Sequence, residues 1–87
     1  MNINPSDIMS RFQINELSVK CFLSNIDRLK ELKGITEYRI MMNCKLLQPE
    51  FTQRGFISQV RKGRKKFISS ALLLLIAKSN QFSFIIE

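Results

Sequence analysis

An all-helical bundle of four to five short helices is what this sequence predicts, on three observations. Apolar residues recur three and four positions apart along most of the chain, the spacing that gathers them on one helix face. Between these periodic segments stand residues that start or stop helices: Gly34, Thr36, Gly63 and the pair Ser69 and Ser70. A chain of 87 residues, 45% of them apolar, is enough for one modest core and little else.

The elements follow in order. Asn4-Pro5-Ser6-Asp7 reads as a helix start, with Asn4 as cap, Pro5 in the first turn and Asp7 at the positive end of the dipole. Ile8, Met9 and Phe12 give that short N-terminal helix an apolar side, and residues 13–15 break it. Residues 1–16 are therefore read as an extension carrying an extra helix, and 17–87 as the domain proper. From Leu17 to Lys33 an amphipathic helix is expected, with Leu17, Cys21, Phe22, Ile26, Leu29 and Leu32 inward and Gly34 ending it. Thr36 caps a second helix reaching Cys44, with Ile40, Met41 and Cys44 inward. The adjacent Met41 and Met42 are read as core fillers rather than as soft ligands. Residues 46–55 hold a proline and a glycine and fit no period, so a loop is expected there.

Phe56-Ile-Ser-Gln-Val-Arg-Lys-Gly63 then forms a short third helix, with Ile57 and Val60 inward and Ser58, Gln59, Arg61 and Lys62 outward. Gly63 suits the left-handed position past its end, and Arg64-Lys65-Lys66 follows at once. Ser69 or Ser70 caps a fourth helix from Ala71 to Ser79, apolar almost all round and so expected at the buried centre. The Asn80-Gln81 pair ends it. Phe82, Phe84, Ile85 and Ile86 form a last apolar segment, either a short helix or an extended tail.

Charge narrows the function classes. Fourteen Lys and Arg against seven Asp and Glu give +7. Residues 1–50 carry seven basic and six acidic side chains, residues 51–87 seven and one, so the second half holds +6 of the total. A field of that size favours a polyanionic partner. The chain has no histidine, and its acids, Asp7, Glu16, Asp27, Glu31, Glu37, Glu50 and Glu87, show no paired spacing, so an enzyme is not expected. Cys21 and Cys44 have no ligand spacing around them and read as buried reduced thiols; no metal and no cofactor is expected. The longest apolar run, Ala71–Ala77, is far below the roughly 20 residues needed to cross a bilayer. No stretch has the pattern of a secretion signal, and a cytoplasmic protein is expected.

In this order and spacing the pieces resemble the Cro/CI and XRE-type helix-turn-helix family of phage and bacterial repressors. The residues that carry the resemblance are Ile26, Leu29 and Lys33-Gly34-Ile35-Thr36, then Ile40-Met41 where the family has Leu-Ala. It continues through Ile57-Ser58 and Gly63, then Leu73, Leu75-Ile76-Ala77 and Phe82-Ser83. It covers roughly residues 22 to 87. Two departures accompany it. Lys45-Leu46-Leu47 replaces the family's Gly-Ile-Ser turn and an insertion at 47–52 follows, and Phe67 stands where the family has a proline.

The resemblance implies a lambda-repressor-like DNA-binding domain, with its second helix across the DNA backbone and its third in the major groove. Arg54, Gly55, Ser58 and Gln59 fall at the family's base-reading positions; Gln59 suits adenine and Arg54 guanine. Thr36, Glu37, Arg61, Lys62, Arg64, Lys65 and Lys66 are expected at phosphates, where the Glu37 carboxylate is unfavourable if it faces them. The function implied is a transcription regulator, most simply a repressor, binding a palindromic operator in double-stranded DNA as a homodimer. The dimer contacts are expected either from the N-terminal extension before Cys21 or from the apolar end, Phe82, Phe84, Ile85 and Ile86, whose Phe and Ile content is more than a solvated tail needs. The alternative is a helix-turn-helix module turned into a small protein-binding inhibitor, with a regulatory protein as partner. A weaker third reading puts the basic run and the apolar tail on an anionic membrane.

Overall fold

The computed structural model describes residues 18–85. The expected N-terminal extension with its Asn4 cap, together with Leu17 and Ile86, lies outside the described residues. Within them are four helices and no strand: α1 Val19–Lys33, α2 Glu37–Leu47, α3 Phe56–Arg61 and α4 Ser70–Asn80.

Helix α1 begins where the Ser18 hydroxyl accepts a hydrogen bond from the Cys21 N–H at 3.0 Å, and it ends at Gly34, whose φ of 62° is the left-handed conformation glycine adopts without a Cβ penalty. Its buried residues are Cys21, Phe22, Asn25, Ile26 and Leu29. Leu32 corrects the sequence reading. By angle it lies on the same stripe, but it occupies the last turn, where the chain leaves at Gly34, and it is 64% exposed.

Helix α2 is capped by Thr36, which accepts from the Arg39 N–H, and buries Ile40, Met41 and Cys44 as expected. It also runs three residues past Cys44, taking in Leu46 and Leu47 that the sequence reading gave to a loop. Tyr38, in the first turn of the helix, is 67% exposed. The connection from 48 to 55 is tied down rather than loose: Phe51 is buried, its N–H bonds the Gln48 carbonyl, and the Lys45 ammonium reaches the carbonyl oxygens of Pro49 and Phe51.

Helix α4 packs chiefly against α2. Ser69, not Ser70, is its cap, accepting from the Leu72 N–H at 3.1 Å. Near its far end Asn80 is buried and fully occupied, donating to the carbonyls of Ile40 and Ile76 and accepting from the Asn43 side chain at 2.8 Å. A buried amide satisfied in this way fixes how two helices sit, because any shift would leave polar atoms unpaired in an apolar setting. The expectation that α4 is covered all round is corrected: Leu72, Leu73, Ile76 and Ala77 are buried, whereas Leu74 and Leu75 are half-buried and Ala71 is exposed.

Gln81, at φ 50°, ends the helix in the left-handed conformation, and residues 82–85 continue outside any helix, with Phe84 and Ile85 against α1. Phe82 and Phe84 are buried, which corrects their expected place on a dimer surface: they are core residues of this chain. Phe84 stacks on Phe22 at 6.2 Å, and Phe22 meets Phe56 of α3 edge to face at 6.1 Å. Asn25 clamps the tail: its side-chain oxygen accepts from the Ile85 N–H at 2.7 Å and its amide donates to the Ile85 carbonyl at 2.8 Å. Of the expected dimer residues among those described, Ile85 stands exposed. Both thiols are free and buried, and burial raises the Cys44 thiol above its ordinary range. No described helix is long and apolar enough to cross a membrane.

Candidate nucleic-acid interface

Six residues are too few for a helix to hold itself together, so α3 depends on what it buries. Phe56, Ile57 and Val60 are all buried, and the Phe22 ring locks against Phe56. The last turn closes through two backbone bonds, Gly63 N–H to the Val60 carbonyl at 3.0 Å and Arg64 N–H to the Gln59 carbonyl at 2.9 Å. This paired closure requires a left-handed residue just past the helix, and Gly63 supplies it at φ 75°. The outward side then follows from the inward one. Ser58 is exposed and Gln59 is half-buried, with Arg54 and Gly55 exposed just before the helix and Lys62 exposed one turn beyond Ser58.

The basic run begins where α3 ends. Lys62, Arg64, Lys65 and Lys66 are all exposed, and none joins an ion pair among the described residues. Phe67 beyond them is exposed, while Ile68 is fully buried and pins the far end of the segment to the core. Four unpaired cations thus sit on a stretch held at both ends.

Arg61 and Glu37 stand differently. Arg61 donates through Nη2 to Asp27 of α1 at 2.7 Å and through Nε to Glu37 of α2 at 2.8 Å, with the Nη2–Glu37 ion-pair distance at 2.6 Å. Glu37 also accepts from Lys30 of α1 at 3.2 Å. Burial by itself would raise the Glu37 carboxyl, but the hydrogen bonds and charges of Arg61 and Lys30 outweigh it and hold the group below its ordinary value. The Arg61 guanidinium is raised in turn, chiefly by its bond to Glu37. Both are expected phosphate contacts; in the folded chain their charges are paired with each other, and they join α3 to α1 and α2. The unfavourable carboxylate anticipated at the start of α2 is neutralised by the same arrangement. Thr36 is exposed, with its hydroxyl engaged in the cap.

Four participants escaped the sequence reading. Asp27 and Lys30 belong to the ionic cluster, but only the packing of α3 on α1 brings Arg61 to them. Asn25 had a visible signal, a polar residue inside the apolar stripe between Phe22 and Leu29. Arg28 lies over the Phe82 ring at 4.4 Å and donates to the Ser83 carbonyl, so this cation braces the tail. No protein-family model, curated protein or solved structure matches the chain.

Proposed function

We propose that this protein is a sequence-specific DNA-binding regulator of the helix-turn-helix kind, most simply a cytoplasmic repressor acting as a homodimer on a palindromic operator. The observation that carries the reading is α3: a short helix anchored by three buried side chains, with Ser58 and Gln59 outward and four unpaired cations at its end. In this reading α2 crosses the DNA backbone and α3 enters the major groove. Gln59 pairs with adenine and Arg54 with guanine, and Gly55 and Ser58 allow close approach to the base edges. Lys62, Arg64, Lys65 and Lys66 neutralise phosphates, assisted by the Thr36 end of α2. Arg61 and Glu37 hold α3 at its angle rather than touching DNA.

The test is selection from a random duplex pool at near-physiological salt, with Gln59→Ala and Arg54→Ala beside the parent. A palindromic consensus that each variant relaxes at one position supports the reading. Binding without a consensus, lost as salt rises, would falsify it.

One observation favours the second reading, a helix-turn-helix module turned to binding a protein. Eight residues, 48–55, separate α2 from α3, where DNA-binding pairs use a turn of about 3–4 residues. A longer connection anchored by Phe51 leaves the angle between the helices free of the usual turn geometry.

A further inference from the structure

Helix α4 has two apolar stripes, one buried in the core and one covered only in part, with Leu74 and Leu75 half-buried at the edge of the core. Leu72, Leu73, Ile76 and Ala77 face the core. Ala71, Leu74, Leu75 and Lys78 stand at i, i+3, i+4 and i+7, the spacing of a second contact face. This outer stripe floors a trough of about 490 Å³, walled by Leu47, Pro49 and Glu50. The trough continues into a hollow of about 150 Å³ with which it shares Gln48, Ala71 and Leu75. Leu47 is 55% exposed at its edge, and the preceding Leu46 is 70% exposed. A helix this apolar on its outer side is built to be covered.

We infer that the outer stripe of α4, with the 47–50 wall beside it, is the surface on which a second copy of this chain docks about a two-fold axis. Charge and symmetry identify the occupant. Two molecules of +7 repel each other over most of their surfaces, so they must meet through a face without net charge. The charged side chains lining the trough are one anion, Glu50, and one cation, Lys78, which sum to zero.

A two-fold contact must also be self-complementary. An axis passing between Leu74 and Leu75, with the two α4 helices antiparallel, sets each leucine against the other's counterpart. The same operation lays Lys78 across Ala71 of the second copy. There the small alanine leaves room for the lysine stem, and the ammonium comes to the trough that holds that copy's Glu50. No residue of α3 or of the basic run lines the trough, and the contact replaces Phe82 and Phe84, which are buried in the core. It rests on the DNA reading only for its purpose, which is to present two α3 helices to one palindrome.

The experiment is sedimentation equilibrium of the full chain without DNA, up to ~1 mM, the weak limit of specific association. The parent is compared with Ala71→Glu, Lys78→Glu and the double variant Lys78→Glu with Glu50→Lys. Ala71 and Lys78 are exposed, so thermal melts should match the parent, and a variant whose melt falls is replaced by Leu47→Ser. A parent dimer, weakened at least tenfold by Ala71→Glu and by Lys78→Glu and restored by the charge-reversed double variant, supports the surface. A monomer at every concentration, as would follow if residues 1–17 covered the trough, overturns it. So does a dimer indifferent to Ala71→Glu. A DNA consensus selected by a protein monomeric off DNA would sink this inference alone, and a dimer without base preference would sink the DNA reading alone.

Discussion

Asn25 illustrates how a single side chain decides where a segment goes. It is buried and bonds both backbone groups of Ile85, so it acts as one rung of a ladder between α1 and the tail. Replacing it with alanine leaves the Ile85 N–H and carbonyl without these partners, a loss of about 1–3 kcal/mol. Asn25→Ala is therefore expected to lower the thermal midpoint measurably, and the tail amides should lose protection from hydrogen exchange before those of α2 and α4. Equal protection in tail and core would show that the clamp holds nothing. Gln59 is the other informative residue. If it reads adenine, Gln59→Ala weakens the selected site by about 1–3 kcal/mol while leaving binding to random duplex unchanged. Its signal in the sequence was its place beside Ile57 and Val60, which fixes the outward side, whereas its half-buried state belongs to the fold.

At the scale of the element, α3 shows how a weak helix is made definite. Its six residues gain little from helix formation itself. The Gly63 closure, the three buried anchors and the Arg61 cluster supply the rest. An added Cβ at Gly63 would meet no atom within 4 Å, so Gly63→Ala isolates the backbone contribution. About 1–2 kcal/mol should be lost in denaturant unfolding, the left-handed penalty. The ionic cluster makes a prediction about pH. The Glu37 carboxyl is held below its ordinary value of 4.5 in the folded protein, so the unfolded chain takes up the proton first on acidification. Its contribution is complete above about pH 4.5 and is lost as pH falls through the lower folded value. Because the pairs are partly exposed, the contribution is about 1 kcal/mol or less. Thermal midpoints of the parent and Glu37→Gln should accordingly differ at pH 7 and converge toward pH 3; a gap that stays constant with pH would mean that the cluster contributes nothing. Helix existence, caps and inward faces were legible here because they are local properties. The ion pairs were not, since Asp27 and Arg61 are 34 residues apart and meet only after α3 packs.

For the whole molecule, charge placement governs binding more than total charge does. Of the five basic residues from Arg61 to Lys66, one is paired within the protein and four join no ion pair among the described residues. On the proposed DNA reading, counterion release predicts a slope of log affinity against log salt of about −3.6 per protomer, from about −0.9 for each of four contacts. Lys65→Ala should make that slope shallower by about one and weaken all duplexes equally. Arg61→Ala should leave the slope nearly unchanged while lowering stability, and a shallower slope in that variant would return Arg61 to the phosphates.

The helical class, the positions of α1 to α4 to within a few residues, the cap at Thr36, the stop at Gly34 and the left-handed turn at Gly63 were determined by the sequence alone. They follow from spacing and from the backbone preferences of single residues, which neighbours in the chain suffice to express. Tertiary structure decided the rest. Leu32 and Phe84 are both apolar residues near the end of a periodic segment, yet one is exposed and the other is core. The difference is whether another element arrives to cover the side chain, and periodicity carries no information about that. Likewise α4, apolar on nearly every side, was legible as a helix but not as one with an outer stripe covered only in part. A sequence shows how much apolar surface a helix has, and only the packed chain shows how much of it has been used.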